Sequence, residues 1–348
     1  MMNDKKVLMQ VQDLSVKYKT RLGMVSAVDH VSFDIHEGEI LGLVGESGCG
    51  KSTMGKALMR MIQPPGHITG GELIFDGEDI MTYDQKQMQG FRGHKVSMIF
   101  QDPMTSLNPV QRVDEHLVEA IQVHYPEISK EEALQRSSDL LERLGIRSNR
   151  MGSYPHQLSG GMRQRVMVAL GLILNANLII ADEATTSLDV IVEAKLADEF
   201  REIRKEFGVT LLVITHNIAL VAELSDRLAV MYAGHVVEIG DVYNVFDNPL
   251  HPYTKGLLNS VPNIRLDDED ELYKMPGEPP NLTHPPSGCR FHPRCPRAMD
   301  ICGWPARWRR LNPHRSRRAS RRRDSRLWSG GYLRRNAGSR GQRAGCRG

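Results

Sequence analysis

The chain has 348 residues, of which 40% are apolar, enough for one large domain or two modest ones. No run of about 18 uninterrupted apolar residues occurs, which argues against a membrane-spanning helix, and the opening MMNDKK runs into strand-like sequence rather than a secretory signal. The net charge of +3 conceals a break in composition: residues 303–348 carry 15 Arg and one Asp, leaving 30 basic against 41 acidic residues in 1–302, a net of −11.

In chain order, VLMQVQDLSVKY (7–18) and AVDHVSFDI (27–35) alternate as strands do, and EILGLVG (39–45) reads as a buried strand. That strand enters GESGCGKS, residues Gly45, Glu46, Ser47, Gly48, Cys49, Gly50, Lys51 and Ser52, followed by Thr53. This is the phosphate-cradling pattern G-x-x-x-x-G-K-[ST]. Small residues let backbone N–H groups converge on phosphate oxygens, and a helix starting near Gly50 points its positive end at them. Lys51 is expected to reach the β- and γ-phosphates of ATP and Ser52 to hold Mg²⁺. A plain glycine turn before a helix would not account for Lys-Ser at that place. Cys49, at the helix start, is expected to favour its thiolate.

GKSTMGKALMRMI (50–62) then reads as a helix, GELIFDGEDI (71–80) as a strand broken by the turn pair Asp76-Gly77, and KVSMIF (95–100) as a strand ending at Gln101. Residues 110–150 lose strand character, and EEALQRSSDLLERLG has helical period. LSGGM (158–162) precedes another helix. LIIAD (178–182) reads as a buried strand, followed by a helix over 190–207, the strand VTLLVIT (209–215), a helix over 217–225 and strands around 228–239. Strands alternating with helices predict an α/β core with a largely parallel sheet. From about Asn248 the text turns Pro-rich, which predicts a loop-rich extension.

Three strand ends carry candidate chemistry. Asp182 would contact Mg²⁺, and Glu183 would orient or deprotonate the attacking water. A charged strand end facing solvent is the ordinary alternative, but strand carboxyl ends are where α/β sheets bind ligands. Gln101 could reach Mg²⁺ or the water, and His216 the γ-phosphate; together the three ends form one constellation. Tyr18 could stack on adenine, though a strand-end Tyr often only packs.

The ordered set Tyr18, GESGCGKS, Gln101, LSGGM, LIIADE, Ser187-Leu188-Asp189 and His216 resembles the nucleotide-binding subunits of ABC transporters over residues 1 to about 240. The resemblance implies an ABC-type P-loop ATPase core with an antiparallel β subdomain, a helical subdomain at about 103–170, and a nucleotide-binding domain spanning 1–247. It implies two such domains sandwiching two ATPs, with Ser159, Gly160 and Gly161 binding the γ-phosphate of the partner's ATP and Asp189 linking the two sites. Met162 stands where Gln is usual in that family.

FQDPMTSLNP (100–109), HPYTKGLLNSVP (251–262) and PGEPPNL followed by GCRFHPRCPRAMDIC (288–302) resemble, more narrowly, the ATPases of oligopeptide, dipeptide and nickel importers. That resemblance implies an extension over 248–302 in which Cys289, Cys295 and Cys302 could ligate a 4Fe–4S cluster. The fourth cysteine it calls for is missing at short range, since 43 residues separate Cys346 from Cys302. It also implies a second, similar ATPase subunit, two permeases and an extracytoplasmic binding protein, with the chain peripheral on the cytoplasmic face of a bacterial inner membrane. Dipeptide, oligopeptide, nickel and glutathione all remain open as cargo. A soluble non-transport ABC ATPase is the rival reading; such proteins usually carry two fused cassettes or long coiled-coil inserts, and this chain has neither. The Arg-rich tail (303–348) reads either as a basic arm or as sequence out of its natural frame; the joint loss of Lys, Glu, Val, Ile, Thr, Phe and Met favours the second. It is expected to be disordered, and no specific nucleic-acid partner is expected.

Overall fold

The computed structural model describes residues 6–100, 106–183, 190–260 and 275–304, with backbone alone for 190–196. Strands β1 (Val7–Thr20) and β2 (Gly23–His36) form a long antiparallel hairpin. On its other edge β1 pairs antiparallel with β4 (Gly66–Phe75), which turns back into the short β5 (Glu78–Asp79). The turn is the Asp76-Gly77 pair expected from the sequence; both residues have positive φ, 48° and 88°, which suits a tight hairpin.

The second sheet runs β10-β9-β3-β8-β7-β6. Strands β3 (Ile40–Val44), β6 (Val96–Ile99), β7 (Leu178–Asp182), β8 (Thr210–Ile214) and β9 (Arg227–Tyr232) are parallel, and β10 (His235–Asp241) closes the edge antiparallel. Every residue of β3, β7 and β8 is buried. Helices and the other sheet cover both faces, so these strands read as unbroken apolar runs rather than alternating ones.

Between the two sheets lies one apolar layer, including Leu14, Val28, Leu43, Met54, Leu58, Leu73, Ile180 and Met231, with α1 (Lys51–Leu58) inside it. A second layer lies on the opposite face of the parallel sheet. It is covered by α3 (Val113–His124), α4 (Lys130–Arg143), α5 (Gly160–Leu172) and α6 (Val190–Phe207). Helix α4 is amphipathic, burying Ala133, Ser137, Leu140 and Leu141 on one face, and Ser129 caps it by accepting from Glu132 N–H at 3.1 Å. The α/β architecture, with an antiparallel sheet, a largely parallel sheet and a helical layer, agrees with the expectation.

Three details differ. The helix expected over 50–62 stops at Leu58, because Arg60 takes a left-handed φ of 52°. Helix α2 (Gln85–His94) has no counterpart in the sequence reading; it buries only Met88 and Phe91, too few apolar positions for a stripe, and relies on a capping box of Asp84 and Gln87. The Pro-rich extension, expected to be loop-rich, holds one α-helix among its described residues. After α7 (Ile218–Leu224) and α8 (Val242–Asp247), helix α9 (Pro252–Asn259) starts with its Pro at the first position, where no N–H is needed. Tyr253, Cys289 and Phe291 then join β9 residues in a shared apolar cluster.

One buried ion pair fastens the two sheets together. Glu39 is 2% exposed and accepts from His36 N–H at 2.7 Å and from Arg227 Nη1 at 3.0 Å; the same guanidinium donates to Asp34 C=O at 3.1 Å at the end of β2. Replacing Arg227 with Met strands a buried carboxylate, which typically costs about 3–5 kcal/mol. Denaturant unfolding of Arg227→Met is therefore expected to show a large stability loss, and wild-type stability in that variant would refute the role of the pair.

Candidate functional site

The phosphate loop joins β3 to α1 at the carboxyl edge of the parallel sheet. Two glycines are required there by contact. A Cβ on Gly45 would sit 2.1 Å from Met231 O, and one on Gly50, whose φ is 109°, would sit 2.2 Å from Ala27 O. The loop is thereby pressed onto β2 and β9, while Ser47 and Gly48 face outward. Gly50 is the N-cap of α1 and gives it no side-chain hydrogen bond. A helix start of this kind attracts anions.

Lys51 is 4% exposed and folds back over the loop. Its Nζ donates to Gly45 O at 3.0 Å and Glu46 O at 3.3 Å, and lies 3.7 Å from Glu183 Oε1. Ser52 Oγ donates to Asp182 Oδ1 at 2.8 Å. Burial raises the Asp182 carboxyl above its ordinary range, against the lowering effect of the Ser52 hydrogen bond. Glu183 follows with a left-handed φ of 48°, unusual for a side chain with a Cβ, and its N–H is tied to Ile214 O at 2.8 Å. The order β3-β8-β7 sets these groups side by side, because adjacent parallel strands finish at the same edge. His216, exposed, stands at the end of β8 between them, and Asn217 beside it caps α7.

The structure thus brings together Lys51, Ser52, Asp182 and Glu183, with His216 on the neighbouring strand. Gln101, Asp189 and Cys346 lie outside the described residues. Tyr18 sits near the end of β1, opposite Gly66, with its ring packed against the apolar layer that also holds Cys49. Ser159, Gly160 and Gly161 are exposed at the start of α5, where Ser159 Oγ accepts from Met162 N–H at 3.3 Å. A Cβ on either glycine would meet nothing within 4 Å, so this end of the helical layer is open to an incoming surface.

Glu46 behaves differently from its neighbours. Its N–H donates to Tyr253 OH at 3.0 Å, and its carboxylate takes both Nη atoms of Arg294, at 2.9 and 3.1 Å. Neither Tyr253 nor Arg294 stood out as a site residue in the sequence. Both lie within the segments HPYTKGLLNSVP and GCRFHPRCPRAMDIC, which give no hint of a partner in the phosphate loop.

The expectation for Cys49 is corrected. Its side chain is 4% exposed, tucked under Gly45, and burial pushes the thiol up to about 11 despite Lys51 nearby. For the four-iron expectation, only three of the four cysteines it could draw on lie among the described residues. Cys289, Cys295 and Cys302 share one apolar cluster, but burial pushes the Cys289 thiol up to about 11. Among the described residues no group of three or more His, Cys, Asp or Glu is placed to hold a metal ion. A four-thiolate set would need Cys346 as well, which lies outside the described residues.

A thiol near 11 is ionised in only about one molecule in a thousand at pH 8, and alkylation needs the thiolate. Iodoacetamide at pH 8 is therefore expected to label the partly exposed Cys295 and Cys302 well before Cys49, as read by peptide mass spectrometry. Cys49 reacting first would overturn the burial argument.

Comparison with known proteins agrees with this geometry. Residues 28–186 match the ABC transporter family, and residues 237–302 match the oligopeptide/dipeptide transporter C-terminal region. The chain is 46% identical to the oligopeptide transport ATP-binding protein OppD of Bacillus subtilis, over 84% of this chain and 83% of that protein. It is 46% identical to OppD of Salmonella typhimurium, over 85% and 88%. It is 44% identical to the dipeptide transport ATP-binding protein DppD of Bacillus subtilis, also over 85% and 88%. Among solved structures, the dimeric bacterial ABC transporter cassette MJ0796 superposes with a TM-score of 0.60 at 27% identity, covering 67% of this chain and 98% of that one. A post-hydrolysis dimer of the same cassette with ADP and Pi gives 0.61. The chain belongs to the ABC transporter ATP-binding proteins of the oligopeptide/dipeptide branch.

Proposed function

We propose that this chain is the ATP-hydrolysing subunit that energises peptide import across a bacterial inner membrane. The observation that carries the reading is the convergence of Lys51, Ser52, Asp182 and Glu183 at one sheet edge, in a chain whose C-terminal region matches the oligopeptide/dipeptide transporter type. Lys51 would exchange its two loop carbonyls for the β- and γ-phosphates of ATP, and the N–H groups of the first turn of α1 would complete the cradle. Ser52 and Asp182 offer a hydroxyl and a carboxylate 2.8 Å apart, hard oxygen donors that suit Mg²⁺. Mg²⁺ supplies charge neutralisation on the phosphates when bound. Glu183 would orient the attacking water and accept its proton. His216 and Gln101 would attend the γ-phosphate, and Tyr18 the adenine.

Ser159, Gly160 and Gly161 would act in trans. Their open, exposed helix start suits the γ-phosphate of ATP held by a second, similar subunit. ATP binding would close the two cassettes, and hydrolysis would release them. Among the described residues no helix is long and apolar enough to cross a membrane. The translocation path would therefore belong to permease partners, with a binding protein delivering peptide from outside and this subunit docked on the cytoplasmic face. The relatives are named for oligopeptides and dipeptides, and a peptide cargo is the reading we adopt.

Three outcomes are expected. Glu183→Gln lowers ATP turnover by about a hundredfold or more while ATP still binds, the size of effect seen when one transition-state group is removed; near-normal turnover would refute the role of Glu183. Lys51→Ala weakens ATP binding itself in a calorimetric titration, because the charge meets phosphate already in the ground state; an unchanged Kd would place the nucleotide elsewhere. Cells lacking the gene are expected to lose uptake of a labelled peptide and to regain it with the wild-type gene but not with the Glu183→Gln form. Unaltered uptake of di- and oligopeptides would rule out the peptide assignment.

A further inference from the structure

The C-terminal region does more than follow the cassette. Two of its side chains hold the second residue of the phosphate loop from both sides. Arg294 is 9% exposed and grips the Glu46 carboxylate with both Nη atoms, at 2.9 and 3.1 Å. Such a forked pair fixes orientation as well as distance. The guanidinium is itself fixed, since Nε donates to Pro276 O at 2.9 Å and Nη1 reaches Tyr232 OH at 3.3 Å. Tyr253, fully buried, presents its hydroxyl to Glu46 N–H at 3.0 Å.

The rings behind these contacts form one block. Tyr232, Tyr253 and Phe291 lie with centroids 4.5 to 5.4 Å apart in tilted and edge-on arrangements. Four residues upstream, Arg290 ties the same segment to β2. It donates to Asp29 Oδ2 at 2.6 Å and, more closely, to Ala233 O. Ala233 and Gly234 form the turn from β9 to β10, and Gly234 N–H donates to Cys49 O at 2.8 Å, inside the phosphate loop. The cysteine-bearing segment therefore touches the loop directly through Arg294 and through one intermediary at the β9–β10 turn.

From this geometry we infer that Arg294 and Tyr253 are positioning residues for nucleotide binding: they hold the phosphate loop in its cradle shape, so that ATP affinity depends on the folded C-terminal region. The inference rests on the ATP-site reading above and adds to it. Lys51 bonds the carbonyls of Gly45 and Glu46, and phosphate must take over that lysine without the loop collapsing. A loop whose Glu46 is clamped at both its N–H and its carboxylate loses less freedom on binding, and pre-organisation of this kind appears as affinity. Coupling between binding sites is reciprocal, so bound nucleotide must tighten the cysteine segment in return.

The test uses the full chain. For Arg294→Gln, the Kd for Mg-ATP and the KM of hydrolysis are expected to rise about five- to tenfold while kcat stays within about twofold, because the link is already made in the ground state. Arg294→Lys is expected to recover only part of this, since a point charge cannot replace the fork. Tyr253→Phe keeps the ring and removes only the acceptor, and a rise of about two- to threefold is expected. Glu46→Gln combined with Arg294→Gln is expected to be no worse than either change alone, because both cut the same link.

Independently of any substitution, saturating Mg-ATP is expected to slow alkylation of Cys295 and Cys302 in the unmodified protein. An unchanged Kd in Arg294→Gln, additive effects in the double variant, or no protection of the two cysteines would each overturn the inference; the last decides it even if Arg294→Gln fails to fold. Failure of the unmodified protein to bind ATP at all would be a different result, and would sink the reading of the site itself.

Discussion

Parallel pairing of β3, β8 and β7 is the constraint on which the rest of this molecule depends. Parallel neighbours finish at the same edge, and each of these strands is buried along its whole length. The backbone polar groups inside are satisfied by the ladder, so functional groups appear only where the ladder stops. Lys51, His216 and the Asp182-Glu183 pair all stand within a few residues of such a stop. The two sheets and the helical layer keep this edge rigid, and residues packed against the loop from behind, Met231 and Ala27 above all, leave no room for a side chain at Gly45 or Gly50.

Much of this was legible because the chemistry dictates the spacing. A loop that wraps phosphate needs small residues and then a cation at the helix start, and buried parallel strands must be apolar until they end. The four residues that the structure brings together, Lys51, Ser52, Asp182 and Glu183, were therefore visible as local patterns, as were the β3, β7 and β8 runs. The failures have a common cause, namely that they depend on tertiary packing. Helix α2 has too few buried positions to show a period. Cys49 lies at a helix start, which by itself favours a thiolate, but the packing of Gly45 over its sulfur removes it from water and desolvation wins. The Arg294–Glu46 contact joins residues 248 apart, and no local pattern encodes a pairing of that length.

The same kind of long-range pairing anchors the described part of the Pro-rich region to the cassette. It has little secondary structure, but Tyr253, Cys289 and Phe291 are buried against β9, and Arg290 and Arg294 are nearly buried with partners in the cassette. Buried guanidinium groups are costly unless each is matched, and both are matched here by carboxylates and carbonyls of other elements.

Strand order also has a consequence for synthesis. β3 is one of the two central strands, yet its neighbours, β8 and β9, are made far later: Leu41 pairs with Leu212 on one side and Arg227 on the other. At typical translation rates the ribosome needs roughly ten to forty seconds to cover that stretch. For that interval the apolar ILGLV segment has emerged without its partners, and the phosphate loop that follows lacks Met231 of β9, against which Gly45 packs. A nascent chain of this fold must be shielded from aggregation through most of its own synthesis, and the nucleotide site comes into being only after the last parallel strand slides in beside the first.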